Sequence, residues 1–515
     1  MAAPGVLDVP RYAEQATRRL RAASPGTDWR DVVEKGLGAA YAQSDAHALT
    51  SMVQVVAHLL DAQGRFEDAV AEIDHALVFA RELPDAAVVL FGLKASVLAA
   101  PGRFAEALAA VAEGERALPR AGLVEGIRFR IFRRIVKWQM FHPDETSDVE
   151  EILALTARHR LRRDRTFLLT WYIPYLAARG LRREAHPWIR AVRLDAKAAR
   201  SKWRLSDAAA FEAWEDFSRE PGGRKSRSQL DPSNGLSTWR GESVHLREAA
   251  LRRDLEAGER ALNALRQARR RVGSADLGRV QQLERAFACA NNLSEVIDGP
   301  PPERIHLNNL GAWLAETEAV AARGSQRAAG EWLEALGEVL PPGIQSALEW
   351  PVSVARLRGA LSLRAGMVRR ARSELNDAVE WSRAAGALPE EGLALLQLGE
   401  LCANADLRVP ERTWRASRAA GIERLRLFGY DPLPHAYTIA HSLTLSSRNR
   451  LAERLTPREV DVLGQLADGK TYQKAAVALG IAPSTVQTLA HRAYQKLGAS
   501  GRHEALLEAR RLGIL

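Results

Sequence analysis

Cysteine is nearly absent: the 515-residue chain has only Cys289 and Cys402. They stand far apart in helix-patterned sequence with no CxxC spacing, so neither a disulfide framework nor a zinc site is implied, only two reduced core thiols. Lysine is scarce as well, nine of the 73 basic residues, while arginine and alanine abound. The formal net charge of +10 would suit an anionic partner, yet spread over such a composition it decides little by itself. No basic patch followed by an apolar core opens the chain, and the most apolar run, AAVVLFGLKASVLAA, is interrupted by Lys94 and too short to cross a bilayer. A cytoplasmic protein is expected. HExxH, GxSxG and metal-spaced Cys/His sets are all missing, so no catalytic residue, cofactor or metal ligand is expected and the chain reads as a non-enzyme.

What is present is helix. Hydrophobic residues make up 46% of the chain, ample for packed cores, and from about residue 10 to 435 they recur at helical spacing between short breaks with Gly, Pro or Asp. No run alternates with the strand period. The fold class is therefore all-α. LLDAQGRFEDAVAEIDHAL (59–77) aligns with VLAAPGRFAEALAAVAEGE (97–115), superimposing Gly64-Arg65-Phe66 on Gly102-Arg103-Phe104. YLAARGLRREAHPWIRAV (175–192) repeats the pattern, as do, more weakly, 319–336 and 361–379, whereas 119–160 and 242–300 match poorly. This resembles tetratricopeptide-type repeats, and implies an α-solenoid of stacked helix pairs with a concave surface.

Two breaks punctuate the body. REPGGRKSRSQLDPSNGLSTWRG (219–241) is expected to be a mobile surface loop, its Arg224, Lys225 and Arg227 solvated, and DGPPPER (298–304) a rigid stop. The division expected is a helical-repeat region at 1–218, the loop, a second helical-repeat region at 242–435, a linker at 436–454 and a small domain at 455–515. All twelve tryptophans lie in the body; Trp171, Trp188, Trp203 and Trp214 would more readily fill helix-pair cores than line a groove.

At Leu455 the sequence changes character. Thr456, Pro457 and Glu459 form a capping box with Pro at the first helical position, and Val460, Leu463, Leu466 and Ala467 give a helix from Pro457 to about Ala467 one apolar face. Gly469 suits a left-handed cap, Thr471 caps a second helix ended by Gly480, and Ser484 with Gln487 reads as another capping box before a third helix to about Leu497. The third helix turns Val486, Leu489, Ala490, Ala493 and Leu497 inward. Its outer stripe is Gln487, Thr488, His491, Arg492 and Gln495. Two short helices so joined form a helix-turn-helix, whose second helix offers its N-terminal half to base edges in the major groove.

These sixty residues resemble the four-helix DNA-binding domain of LuxR-type transcriptional regulators, on Leu-Thr-Pro-Arg-Glu at 455–459, Leu-Ala-x-Gly at 466–469, Leu-Gly-Ile at 479–481, Thr485-Val486, Lys496-Leu497-Gly498 and Arg511-Leu512-Gly513. The resemblance implies base contacts at Gln487, Thr488 and His491, and phosphate contacts at Thr485, Arg492, Lys496 and the Tyr472-Gln473-Lys474 edge. It also implies double-stranded DNA as partner and a homodimer through the last helix. Lys474, Ala482, Leu489 and Ala490 depart from the family pattern and leave the base preference open. Within the same stretch, GQLADGKT (464–471) matches the phosphate-loop pattern G-x-x-x-x-G-K-[ST], but it follows a helical face rather than a buried strand, so no nucleotide site is expected. The function expected is a DNA-binding transcriptional regulator whose helical body senses a protein, peptide or small-molecule effector. The alternative is a helical-repeat scaffold whose last domain serves protein interaction or dimerisation.

Overall fold

The computed structural model describes Gly38, Ala40, Ala42, Arg200, Ala499 and residues 45–62, 65–142, 148–198, 202–219, 230–231, 234–272, 277–291, 299–301, 304–405, 407–432, 455–497 and 501–511. The linker expected at 436–454 and the basic cluster Arg224, Lys225 and Arg227 lie outside them. The regular structure of the described residues is helical, with no strand.

The body begins with four helix pairs: α1 (Ala46–Ala62) with α2 (Phe66–Phe79), α3 (Pro84–Ala99) with α4 (Phe104–Ala117), α5 (Leu123–Gln139) with α6 (Val149–Arg158), and α7 (Arg162–Ala178) with α8 (Arg182–Ala198). It continues through α9 (Lys202–Arg219), α10 (Gly235–Arg252), α11 (Leu255–Val272), α12 (Leu277–Ala290), α13 (Leu310–Arg323) and α14 (Gln326–Glu338). Two last pairs close it, α15 (Val354–Arg364) with α16 (Val368–Ala385) and α17 (Leu388–Asn404) with α18 (Glu411–Leu427).

The pairs build two layers, and the sequence says which helix goes where. In α2 the buried residues are Ala69, Ile73 and Ala76, and in α4 Ala107, Ala110, Val111 and Gly114, a single stripe facing the core. In α3 the sequence PDAAVVLFGLKASVLA is apolar on most sides and correspondingly more buried, with Lys94 reaching out to Asp74. Accordingly α1, α3, α5 and α7 pack on one another in succession as the first layer, and α2 and α4 lie against it. Close approach uses glycine where backbones meet: a Cβ at Gly421 of α18 would stand 2.5 Å from the Leu396 amide nitrogen of α17, and one at Gly399 2.7 Å from that of Arg418.

One turn recurs. A residue with left-handed backbone ends the first helix of a pair, and the next amide donates back to the carbonyl that closes the turn: Arg103 to Leu98 (3.0 Å), Leu181 to Leu176 (2.8 Å) and Met367 to Ser362 (2.7 Å). Gly102, Gly180 and Gly366 hold the left-handed position, as the repeat pattern implies. The poorly matching stretches contain the same turn without its glycine: Phe141 (φ 51°) and Arg253 (φ 56°) occupy the position, with His142 bonded to Lys137 and Asp254 to Ala249. The weak match at 319–336 differs, since Gly324 is extended and Ser325 caps α14 instead.

Other expectations shift. The loop expected at 219–241 ends earlier: α10 starts at Gly235, capped by the Asn234 side chain on Ser237, and Trp239, Arg240 and Gly241 are buried. Asp207, half-buried, supplies the reason, because it accepts from Asn234 and Ser237 and anchors the helix start to α9. The core does not divide there, as Phe211, Trp214 and Phe217 share one cluster with Trp239 and Val244. Tryptophan is core: Trp138, Trp313, Trp332 and Trp350 are fully buried, Trp214 is buried, and Trp171 and Trp188 pack half-buried against the same cluster. The Trp203 side chain lies outside the described set. Cys289 is buried, and the half-buried Cys402 thiol is pushed up by burial.

Buried charge holds the second half together. Arg356 bonds Glu390 (2.7 Å) and Glu318 (2.5 Å), Arg247 bonds Glu318 (2.9 Å), and the Trp350 indole donates to Glu318 (3.0 Å), joining α10, α13, α15 and α17. Burial alone would raise the Glu318 carboxyl, but Arg247 and Arg356 hold it at about 2. Two extended stretches tie this half to the first. The Leu307 amide donates to the Gln139 carbonyl at the end of α5, and the Gln345 and Ser346 amides donate to Ala178 at the end of α7. Each caps a helix end whose carbonyls have no partner within the helix.

Among the described residues no helix is long and apolar enough to cross a membrane, and no three His, Cys, Asp or Glu side chains gather into a metal site.

Candidate DNA-binding interface

The C-terminal unit has its own core and four helices: α19 (Pro457–Ala467), α20 (Tyr472–Leu479), α21 (Pro483–Leu497) and α22 (Arg502–Arg511). The Thr456 hydroxyl accepts from the Glu459 amide (3.3 Å) and Glu459 accepts from the Thr456 amide (2.7 Å), a complete capping box. Val462, Leu463 and Leu466 of α19 meet Ala475 and Ala476 of α20, Val486, Ala490, Ala493, Tyr494 and Leu497 of α21, and Ala505 and Ala509 of α22. Val462 and Tyr494 join a core that the sequence pattern did not assign them to, while Val460 and Leu489 are only half-buried.

Each junction is closed by a definite bond. Gly469 (φ 79°) ends α19, Thr471 caps α20 by accepting from the Lys474 amide (3.3 Å), and Gly480 (φ 65°) ends α20. The cap of α21 differs from the one expected at Ser484. Pro483 fixes the first helical position, the Ala482 carbonyl accepts from Thr485 and Val486, and Ser484 sits inside the first turn, where its carbonyl accepts from the Thr488 hydroxyl. In α22, Arg502 donates to the Leu466 carbonyl (2.7 Å) and fastens the last helix to the end of the first.

GQLADGKT is a helix end. Gly464 to Ala467 belong to α19, and the Lys470 ammonium bonds the Gln465 side chain (2.6 Å) rather than facing a cradle of free amides.

Gln487, Thr488, His491, Arg492 and Gln495 form one polar stripe on α21 opposite its buried face, with Thr485 exposed at its start. Gln473 and Lys474 stand on the first turn of α20, open to solvent. The two remaining residues expected to reach phosphate have partners inside the domain. The Tyr472 and Tyr494 hydroxyls meet at 3.3 Å. The Lys496 ammonium pairs with both oxygens of Glu459 (2.8 and 2.6 Å), a carboxylate only 2% exposed. Burial would raise Glu459; its bonds from Lys496 and Thr456 outweigh that and hold the carboxyl below its ordinary value. One carboxylate therefore caps α19 and fixes α21 upon it, which sets the height and tilt of the polar stripe.

Residues 453–509 match the family described as bacterial regulatory proteins, luxR family. The chain is 43% identical across 65 residues to a probable transcriptional regulatory protein NarL of Mycobacterium tuberculosis, covering 13% of this chain and 30% of that protein. It is 41% identical across 68 residues to the HTH-type transcriptional activator RamA of Corynebacterium glutamicum, covering 13% and 24%. The HTH-type quorum sensing-dependent transcriptional regulator VjbR of Brucella abortus is 46% identical across 67 residues, covering 13% and 26%. The chain thus spans less than a third of the length of these relatives. No solved structure matches it significantly. The four helices that close the described chain are a luxR-family helix-turn-helix domain, attached to a helical-repeat body.

Proposed function

We propose that the whole chain is a DNA-binding transcriptional regulator in which α21 enters the major groove and the helical body senses an effector. The polar stripe on α21, standing on a fully packed three-helix base, is the observation that carries this reading. Gln487 suits a bidentate pair with adenine, while Thr488 and His491 lie beside it on the surface that would face base edges. Thr485, Arg492, Gln473 and Lys474 border the stripe and serve phosphates, which give register and affinity. Lys496 and Tyr472, engaged with Glu459 and Tyr494, act instead by positioning α21. A homodimer through α22 has support in Leu507, 55% exposed on the face away from Ala505 and Ala509. Sensing is assigned to the body, where a cleft of about 550 Å³ opens between residues 337–345 and the start of α15, with Arg358 in its wall.

Nuclease protection on genomic promoter fragments tests the reading. The chain protects a discrete site, and replacing Gln487 and Arg492 together by Ala weakens that site by about 1–3 kcal/mol for the lost base contact and makes its salt dependence shallower by about one for the lost phosphate contact. Unchanged occupancy in a folded double variant would instead favour the scaffold.

A further inference from the structure

The charge of the body is not spread evenly. Where α6 turns into α7, residues 157–165 carry Arg158, Arg160, Arg162, Arg163 and Arg165 against Asp164; where α8 turns into α9, residues 193–204 carry Arg193, Lys197, Arg200, Lys202 and Arg204 against Asp195. Ten cations face two carboxylates, so these 21 residues hold a net +8 in a chain whose total is +10. Both carboxylates are already engaged, Asp164 with Arg128 and Asp195 with Arg165.

The two turns lie side by side. The Arg165–Asp195 pair (3.6 Å) links the start of α7 to the end of α8, and Arg163 is near enough to Arg204 to oppose its charge. Arg158, Arg160, Arg162, Arg163, Lys197, Arg200 and Lys202 are exposed and have no carboxylate partner among the described residues. Elsewhere on the surface some arginines are paired, as in Arg103 with Glu67 and Glu106, Arg130 with Glu151, and Arg266 with Glu284, and others such as Arg369, Arg372 and Arg412 are not; this edge differs in gathering seven unpaired cations on two adjoining turns. At the other end of α7 the chain covers itself, with Gln345 and Ser346 capping it. The basic edge is left open.

Its backbone adds a second indication. Arg160 (φ 57°) and Arg200 (φ 47°) sit in the left-handed conformation that Gly102, Gly180 and Gly366 fill in sister turns. The Arg160 turn has the same bonds, Arg160 to Ala157 and Leu161 to Thr156. Glycine would be more relaxed there, so arginine at these positions costs stability locally and contributes a guanidinium at the tip of the turn.

We propose that this edge of the body, from Arg158 to Arg163 and from Lys197 to Lys202, binds the phosphodiester backbone of duplex DNA as a second, sequence-independent contact beside the helix-turn-helix. The inference rests on the DNA-binding reading above. Seven unpaired cations at one edge match an evenly spaced line of phosphates, and each phosphate neutralised adds about 0.9 to the salt slope of binding. Guanidinium groups at turn tips suit such contacts, because they reach outward and bond phosphate oxygens bidentately.

Full-length protein and a labelled duplex of random sequence, about 40 bp long, are titrated by fluorescence anisotropy between about 50 and 200 mM salt. The edge variant carries Arg158→Ser, Arg160→Gly, Arg162→Ser, Arg163→Ser and Arg200→Gly; two of these relieve left-handed arginines, and a melting temperature no lower than the wild type's confirms its fold. The slope of log K against log salt becomes shallower by about three to four, and affinity at the lowest salt falls at least about tenfold. The Gln487→Ala, Arg492→Ala variant keeps most of this random-sequence binding while losing its protected promoter site. Wild-type slope and affinity in the edge variant overturn the inference and leave the regulator reading intact. A wild-type chain that binds neither random duplex nor promoter overturns both. Poly-glutamate competing as strongly as unlabelled duplex, with competition lost in the edge variant, assigns the edge to an acidic protein and also overturns it.

Discussion

The body and the C-terminal domain use charge in opposite ways. In the body, the buried Arg247, Arg356 and Glu390 and the largely covered Glu318 join four helices that are distant in sequence. In the C-terminal domain Glu459 is the buried carboxylate of the described core, and the polar residues of α21 point out. A large solenoid has helices buried on every side, and a charge caught there must be paired or it is ruinous. A domain of four short helices can leave one whole face of a helix to water, and that face is then free to read a ligand.

Breaking one partner in the body should therefore have the largest effect. Glu390→Gln leaves Arg356 and Arg247 short of a counter-charge and is expected to destabilise the body by about 3–5 kcal/mol, read as a fall in the body's denaturation midpoint while the C-terminal transition stays in place. Acid should show the same asymmetry. The buried His306 imidazole is held down to about 3 by burial and by Arg279, from an ordinary value of 6.5. A base with a lowered value in the folded state stabilises fully above pH 6.5 and loses that contribution as the pH falls, about 2 kcal/mol by pH 5. His306→Asn should flatten the decline in stability between pH 6.5 and 5. Glu318, a carboxyl held at about 2, contributes fully above its unfolded value of about 4.3 and is lost only as the pH falls from there toward 2.

The matching change in the small domain, Glu459→Gln, is expected to cost about 2 kcal/mol, the sum of a weakened cap and a half-exposed pair. Its sharper consequence is positional: promoter affinity should fall more than stability explains, and at domain concentrations where the variant is folded. The smallest effect expected is a gain. Arg160→Gly alone should stabilise the body by about 0.5–1 kcal/mol by relieving a left-handed arginine, measured as a rise in melting temperature.

Much of this is legible in the sequence where local signals coincide. Thr456, Pro457 and Glu459 specify one helix start, and Gly102, Gly180 and Gly366 mark three turns by residue type alone. Where the signal is lost, the reason is physical. Phe141 and Arg253 adopt the glycine conformation with the turn's hydrogen bonds intact, so the repeat continues while its marker disappears. The start of α10 is hidden because Asn234, Gly235 and Ser237 have loop composition, and the distant Asp207, which holds Asn234 and Ser237, is needed to anchor the cap. Ser484 looks like a cap because its spacing to Gln487 is right, yet Pro483 starts the helix earlier. The basic edge is invisible for a different reason: its halves are about thirty residues apart, and only the packing of α7 on α8 adds them together.

The amide bonds from Leu307 to Gln139 and from Gln345 to Ala178 also carry a consequence for synthesis. The ends of α5 and α7 leave the ribosome well over a hundred residues before the segments that complete them. At about 5–20 residues per second, those carbonyls wait on the order of ten to thirty seconds for their partners. For that interval the first repeats are an unfinished surface, so the nascent chain, rather than the finished protein, is the form most in need of a chaperone.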